Sequence, residues 1–247
     1  MSRLLNLDKL PGEVRGRIEP YLKSLLDVHK DNVRSIFIYG SAAGSNFIPG
    51  VSDINTAVVL KKIEFGDLKK GLGIISKGIP KKITAPLLLT KEHIDTSLDV
   101  FPVEFLNMKE SHVVVYGEDI LGPVSIDEKN IRFICEQQIK GRLIRIRQGY
   151  LEVGLKKKGI EALLKESLAS LIPMFRALLR LKGKQPPVDK AGVLAQLCDE
   201  FGLRKDVFLP VYRDKSNDEK IESKDVEEYF EKYIADIQKL ADAVDRL

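Results

Sequence analysis

The sequence predicts an α+β protein, with a mixed-sheet domain over residues 1–125 followed by an all-α helical bundle over residues 126–247. Three observations carry that prediction. Up to about residue 121, short apolar runs of strand character alternate with segments of helical periodicity. From Ile131 onward the apolar residues recur at helical spacing. Between the two regions, "LGPVSIDEKN" is polar and carries Gly and Pro, which places the domain boundary within residues 122–130.

The first helix spans about residues 11–28, where Val14, Ile18, Leu22 and Leu25 trace one face. "VRSIFIYG" is a buried-strand pattern ending at Gly40, and "DINTAVVL" is a second strand stopped by Lys61 and Lys62. "FGDLKKGLGIISKG" reads as a helix. "ITAPLLLT" and "LDVFPVEFLNM" read as further strands, with Pro86 and Pro102 confining them to edges, ends or bulges. "KEHIDTSL" between them is a helical turn, and "SHVVVYGED" is one more strand.

In the second half, Ile139, Leu143, Ile146, Tyr150 and Val153 step by four and three along one stripe. "IEALLKESLASLIPMFRALLRLKG" is a long helix with a kink expected at Pro173 and a stop at Gly183. "AGVLAQLCDEFG" and "DVFLPVYR" are shorter helices, and "DKSNDEKIESKD" is a polar loop. The last helix is expected to start near Ser223 as N-cap, with Asp225 and Glu227 in its first turn. Its stripe of Val226, Phe230, Tyr233, Ile237, Leu240, Val244 and Leu247 suits a bundle core and is also compatible with a homodimer seam.

The chain of 247 residues is 44% hydrophobic and 31% charged, the profile of an ordinary globular protein. No apolar run approaches the roughly 20 residues needed to cross a bilayer, so no membrane partner is expected. The N-terminal stretch lacks the apolar core of a secretory signal. The only cysteines, Cys135 and Cys198, form no CxxC pair, which argues against a disulfide framework or a cysteine zinc site. His29, His93 and His112 have no metal-ligand spacing. A reducing cytoplasm is the expected location. The net charge of +4 is uneven: residues 131–190 carry 14 basic against 5 acidic side chains, and residues 191–247 carry 9 against 14. A basic segment of this kind attracts acidic ligands, and solvated helix faces account for it equally.

The chemistry concentrates in "YGSAAGSNFIPGVSDIN". Gly40 ends a strand, where the missing Cβ lets a ligand approach the backbone. Ser41 adds a hydroxyl and an N–H, and the pair makes a phosphate cradle. Asp53 and Asn55 share one face of the next strand because side chains alternate, while Ile54 points to the other. Hard oxygen donors beside a phosphate cradle suit Mg2+ bound together with a nucleoside triphosphate.

The run "FIYGS…SDIN" resembles the nucleotidyltransferase superfamily that includes DNA polymerase beta, kanamycin nucleotidyltransferase and the minimal nucleotidyltransferases. Its motif is an apolar strand, Gly-Ser, about ten residues, then Asp-x-Asp or Asp-x-Glu. The resemblance covers residues 30–121, and the helical region behind it is similar to the arrangement in the kanamycin enzyme. It implies a metal shell of Asp53, position 55 and a third acid on a later strand, for which "DVFPVEFLNM" offers Glu104 ahead of Asp99. It also implies Mg2+ or Mn2+ as cofactor and ATP or another triphosphate as substrate, with an unidentified acceptor hydroxyl. The departure is Asn55, which supplies a neutral carbonyl oxygen where the family has a carboxylate. Two expectations follow: a nucleotidyltransferase acting through Asp53 and Glu104, or a catalytically impaired pseudoenzyme that keeps the fold and nucleotide binding as a regulatory module. A third reading, nucleic-acid binding by the basic segment, has no zinc, glycine-rich or aromatic-stacking signature beside the charge. Lys61 and Lys62, or Lys81 and Lys82, are further phosphate contacts to weigh. Arg142, Arg145, Lys156 and Lys157 are cations, and Glu152 and Glu166 general bases, to be weighed on the helical side.

Overall fold

A computed structural model describes residues 3–44, 47–215, 220–222 and 224–247. The chain divides into two compact units, Met1–Ile126 and Asp127–Leu247. The expected N-cap Ser223 and part of the polar loop before it lie outside the described residues.

In the first unit, helix α1 (Gly12–His29) leads into strand β1 (Val33–Tyr39), a short 3-10 turn (Gly40–Ala43) and strand β2 (Asn55–Leu60). Helix α2 (Phe65–Gly78), strand β3 (Leu87–Thr90), helices α3 (Lys91–Thr96) and α4 (Pro102–Glu110) and strand β4 (His112–Gly117) follow. The sheet order is β3-β2-β1-β4, with β1 antiparallel to both neighbours and β2 parallel to β3. The sheet is therefore mixed, as expected.

Both faces of the central strands are covered, which explains their unbroken apolar runs. Ile36, Ile38, Ile54, Val58 and Leu60 pack with Val14, Ile18, Leu22 and Leu25 of α1. Phe37, Ala57 and Val59 face the other way and pack with Ile94, Phe105 and Leu121. The period of two along β2 thus assigns odd positions to one face and even positions to the other.

Two expected strands need correction. The segment "LDVFPVEFLNM" is not a strand: its second half is helix α4. Pro102 occupies the first helical turn, where its fixed φ is preorganised and its missing N–H costs nothing. Pro102, Val103 and Phe105 are buried and Glu104 between them is exposed, the inward face of a helix at this point. Glu104 lies in the first turn, where a carboxylate favours the helix dipole. "ITAPLLLT" is a strand only from Leu87. Upstream of Pro86, which has no N–H for a ladder, Ile83 makes one isolated parallel bridge to Ile54.

The second unit comprises α5 (Glu128–Val153), α6 (Lys157–Leu181), α7 (Lys190–Phe201), α8 (Lys205–Lys215) and α9 (Val226–Val244). Helix α6 packs against the other four and runs through Pro173 before Gly183, at φ 69°, follows its end. Of the expected stripes, Ile139, Leu143 and Ile146 on α5 and Val226, Phe230, Tyr233, Ile237, Leu240 and Val244 on α9 are buried, whereas Tyr150 and Val153 are half-buried and Leu247, past the end of α9, is exposed. No helix among the described residues is long and apolar enough to cross a membrane.

Candidate functional site

The site forms at the edge of the sheet where β1 ends and β2 begins. Tyr39, the last residue of β1, pairs with Asn55, the first of β2, and on its other side with His112 of β4. The chain leaves β1 through Gly40, whose φ of 74° is open to glycine and strained for other residues. Gly40 is fixed from β4's side: its N–H donates to the Ser111 carbonyl at 3.0 Å, and the Ser111 hydroxyl donates to the Gly40 carbonyl at 3.1 Å. Ser41 follows, half-buried, and its carbonyl closes the turn by accepting the Gly44 N–H at 3.2 Å.

Asp53 is exposed just ahead of β2, and Ile54 is fully buried against the α1 face. Asn55 is half-buried on the opposite face from Ile54. Its side chain bridges two neighbours. Its Oδ1 accepts the Thr84 hydroxyl at 3.1 Å, and a Cβ built on Gly40 would lie 3.6 Å from its Nδ2. Asn55 thus turns its acceptor toward β3's approach and its donor toward the Gly40 turn.

Thr84 reaches this position through the parallel bridge that precedes β3. The Ile54 N–H donates to the Lys82 carbonyl at 2.8 Å, and the Thr84 N–H donates to the Ile54 carbonyl at 3.1 Å. Lys82 and Thr84 therefore flank the point where the chain enters β2. Sequence reasoning weighed Lys82 without choosing it and missed Thr84; both sit in or beside "ITAPLLLT", but nothing local to that run states which residue it faces.

Glu104 is exposed on α4, and Asp99 is exposed in the turn before it. The strands beside β2 are β1 and β3, so the sheet argument that joined Glu104 to Asp53 falls away. Lys61 and Lys62 stand past the far end of β2, about 20 Å from Asn55 at strand rise, beside a groove of about 420 Å³ also lined by Arg34 and Lys91. Arg145, Lys156, Lys157, Glu152 and Glu166 are exposed on the helical unit, and Glu152 accepts from Gln148 at 2.9 Å.

Next to Tyr39, His112 is held at both ring nitrogens, 2.9 Å from the Lys109 carbonyl and 3.1 Å from Asp119 Oδ1. Burial pushes the Asp119 carboxyl up, but the Gly122 N–H and His112 together hold it below the usual carboxylate range. Burial also raises the Tyr39 phenol.

Among the described residues, no group of three or more histidine, cysteine or acidic side chains is placed to hold a metal ion. The sheet edge offers one carboxylate, Asp53, with an amide and a hydroxyl beside it. That donor set does not fit the two-ion centre implied by the resemblance, where several carboxylates offset the charge of the ions.

No family model matches the chain, and no curated protein matches it in sequence. A solved structure, spectinomycin adenyltransferase AAD(9) from Enterococcus faecialis with ATP and spectinomycin, matches with a TM-score of 0.57 at 14% identity. The match covers 90% of this chain and 98% of that one. The chain therefore shares the fold of that adenyltransferase, and in this chain a sheet domain is followed by a helical one.

Proposed function

We propose that this chain is a nucleotide-binding regulatory module built on the nucleotidyltransferase fold. It takes a nucleoside triphosphate, ATP first, at the Gly40–Ser41 turn and lacks two-metal transfer chemistry. The contact that carries this reading is the Thr84 hydroxyl on Asn55 Oδ1 at 3.1 Å. Where the transfer reaction needs further acids beside Asp53, Asn55 and Thr84 are two neutral side chains satisfying each other. Losing the metal-held charge removes transition-state stabilisation of several kcal/mol, or about three orders of magnitude in rate for each ~4 kcal/mol.

Calorimetry with ATP on the full chain tests the binding, and pyrophosphate release in the presence of Mg2+ or Mn2+ and mixed hydroxyl acceptors tests the loss of transfer. Saturable ATP binding that weakens in Ser41→Ala, without pyrophosphate release, is the expected result. Steady pyrophosphate release from the wild-type chain sinks the regulatory reading.

One observation favours a second reading, metal-dependent transfer of a nucleoside monophosphate to an acceptor hydroxyl. The fold is shared over nearly the full length of an adenyltransferase whose structure holds ATP and an acceptor. Under that reading, Asp53→Ala abolishes pyrophosphate release. Fold alone does not fix activity, so the side chains at the sheet edge rank this reading second.

A further inference from the structure

We infer that Lys82 supplies the positive charge at this site, so that the polyphosphate of a nucleoside triphosphate is gripped without a divalent ion. The inference rests on the nucleotide-binding reading above and goes further by naming what replaces the metal.

The first support is position. Lys82 closes the short turn Ile79–Lys81 by donating its N–H to the Ile79 carbonyl at 2.9 Å, and its own carbonyl takes the Ile54 N–H. Its backbone is thereby locked to the residue between Asp53 and Asn55. Its Nζ then donates to the Val51 carbonyl at 3.1 Å, which holds the ammonium over the loop leading into Asp53. No carboxylate lies within ion-pair distance of it among the described residues. Many other lysines of this unit are already engaged: Lys23 with Glu19, Lys62 with Glu64, Lys70 with Asp67 and Lys91 with Asp95.

The second support is backbone strain. Lys82 sits at φ 59°, in the left-handed region that costs a residue with a Cβ about 1–2 kcal/mol. Strain of that kind persists where the surroundings dictate it, and it is over-represented at binding sites. Here it reverses the chain between the 3-10 turn and the bridge to Ile54 and brings the lysine to the loop.

The third support is the polarity of the neighbours. Asn55 spends its acceptor on Thr84 and turns its amide nitrogen toward Gly40. A metal ion needs acceptors at that point; a phosphate oxygen needs donors. Asn55 Nδ2, Lys82 Nζ and the Ser41 hydroxyl are donors. The formal charge of Asp53 and Lys82 together is zero, so the sheet edge has no net negative charge to attract a divalent cation. The neutral amide of Asn55, the neutral hydroxyl of Thr84 and the ammonium of Lys82 all make the site more suited to an anion than to a cation.

The experiment is calorimetry of the full chain with ATP, once in EDTA and once in excess Mg2+. Binding in EDTA is expected, weakened at least tenfold by Lys82→Met and no more than about threefold by Lys82→Arg. Lys81→Met, which removes the adjacent exposed cation, is expected to change it less than twofold. Thermal unfolding of Lys82→Met checks that the fold is kept. ATP binding only when Mg2+ is present, or equal losses in Lys81→Met and Lys82→Met, overturns the role of Lys82 and leaves the nucleotide-binding reading standing. Absence of ATP binding with and without Mg2+ overturns both.

Discussion

Thr84 donates its hydroxyl to the side-chain carbonyl of Asn55 at 3.1 Å, across two segments 29 positions apart in the chain. Both partners are neutral, and the contact sets a clear expectation for adding charge at these two positions. Asn55→Asp alone places one carboxylate beside a hydroxyl. Asn55→Asp with Thr84→Glu places three acids, counting Asp53, on adjacent segments. The double variant is expected to bind Mn2+ at least tenfold more tightly than either single variant, measured by calorimetry or by electron paramagnetic resonance of free Mn2+. Equal affinity of the double variant and the wild type would show that these positions do not converge on one metal position.

In the helical unit, Arg204 Nη2 and backbone N–H each reach an Asp236 oxygen at 2.9 Å, and Arg204 Nε approaches both at 3.1 and 3.2 Å. The Asp236 side chain is 6% exposed and the Arg204 side chain 40%. The two truncations are therefore unequal. Arg204→Ala leaves a buried carboxylate unpaired and is expected to cost about 3 kcal/mol. Asp236→Ala leaves a guanidinium that water reaches and is expected to cost about 2 kcal/mol, largely from the orphaned donors. Urea unfolding followed by a probe in the helical unit measures both, and the reverse order would contradict this account.

His29 closes α1 with its side chain buried and its Nδ1 without a hydrogen-bond partner. Burial lowers its pKa, Asp67 opposes that shift, and Lys70 adds to it. The imidazole therefore binds its proton more weakly in the folded chain than in the unfolded one. Stability from this group is complete above the ordinary histidine pKa of about 6.5 and declines as pH falls below it, because the unfolded chain then takes up more protons. Urea midpoints of the sheet unit are expected to fall between pH 7.5 and pH 5.5, with a shallower slope in His29→Gln. Identical slopes for the two proteins would assign the pH dependence to other groups.

The two strands that build the site were legible because "VRSIFIYG" and "DINTAVVL" carry uninterrupted apolar runs closed by Gly and Lys. The strand period predicts a shared face for Asp53 and Asn55, but β2 begins only at Asn55, so Asp53 stands ahead of the strand. Glu104 falls on a helix and not on the expected strand, because Val103 and Phe105 flank it in a pattern that a strand and the first turn of a helix share over three residues. Pro102, the helix starter, was read as a strand-edge marker. Lys82 and Thr84 were beyond reach for a different reason. Their position beside Asp53 and Asn55 depends on a parallel register between segments separated by α2, and parallel pairing leaves no short-range turn signal that fixes it.

Gly40 and Gly117 both have positive φ, at 74° and 76°, yet a methyl group should act differently at each. At Gly117 a Cβ would lie 2.0 Å from the Arg34 carbonyl oxygen, so β1 and β4 would have to separate. Gly117→Ala is expected to cost upward of about 3 kcal/mol or to prevent folding, since backbone strain and backbone collision combine. At Gly40 the nearest group is Asn55 Nδ2 at 3.6 Å, an ordinary contact, so Gly40→Ala pays only the left-handed strain of about 1–2 kcal/mol. The added methyl nevertheless stands between the turn and the amide of Asn55, where the phosphate is proposed to lie. Gly40→Ala is thus expected to remain folded by circular dichroism and lose ATP affinity at least tenfold. If it binds ATP as the wild type does, the phosphate does not approach the backbone at this turn, and the nucleotide must be sought elsewhere on the sheet unit.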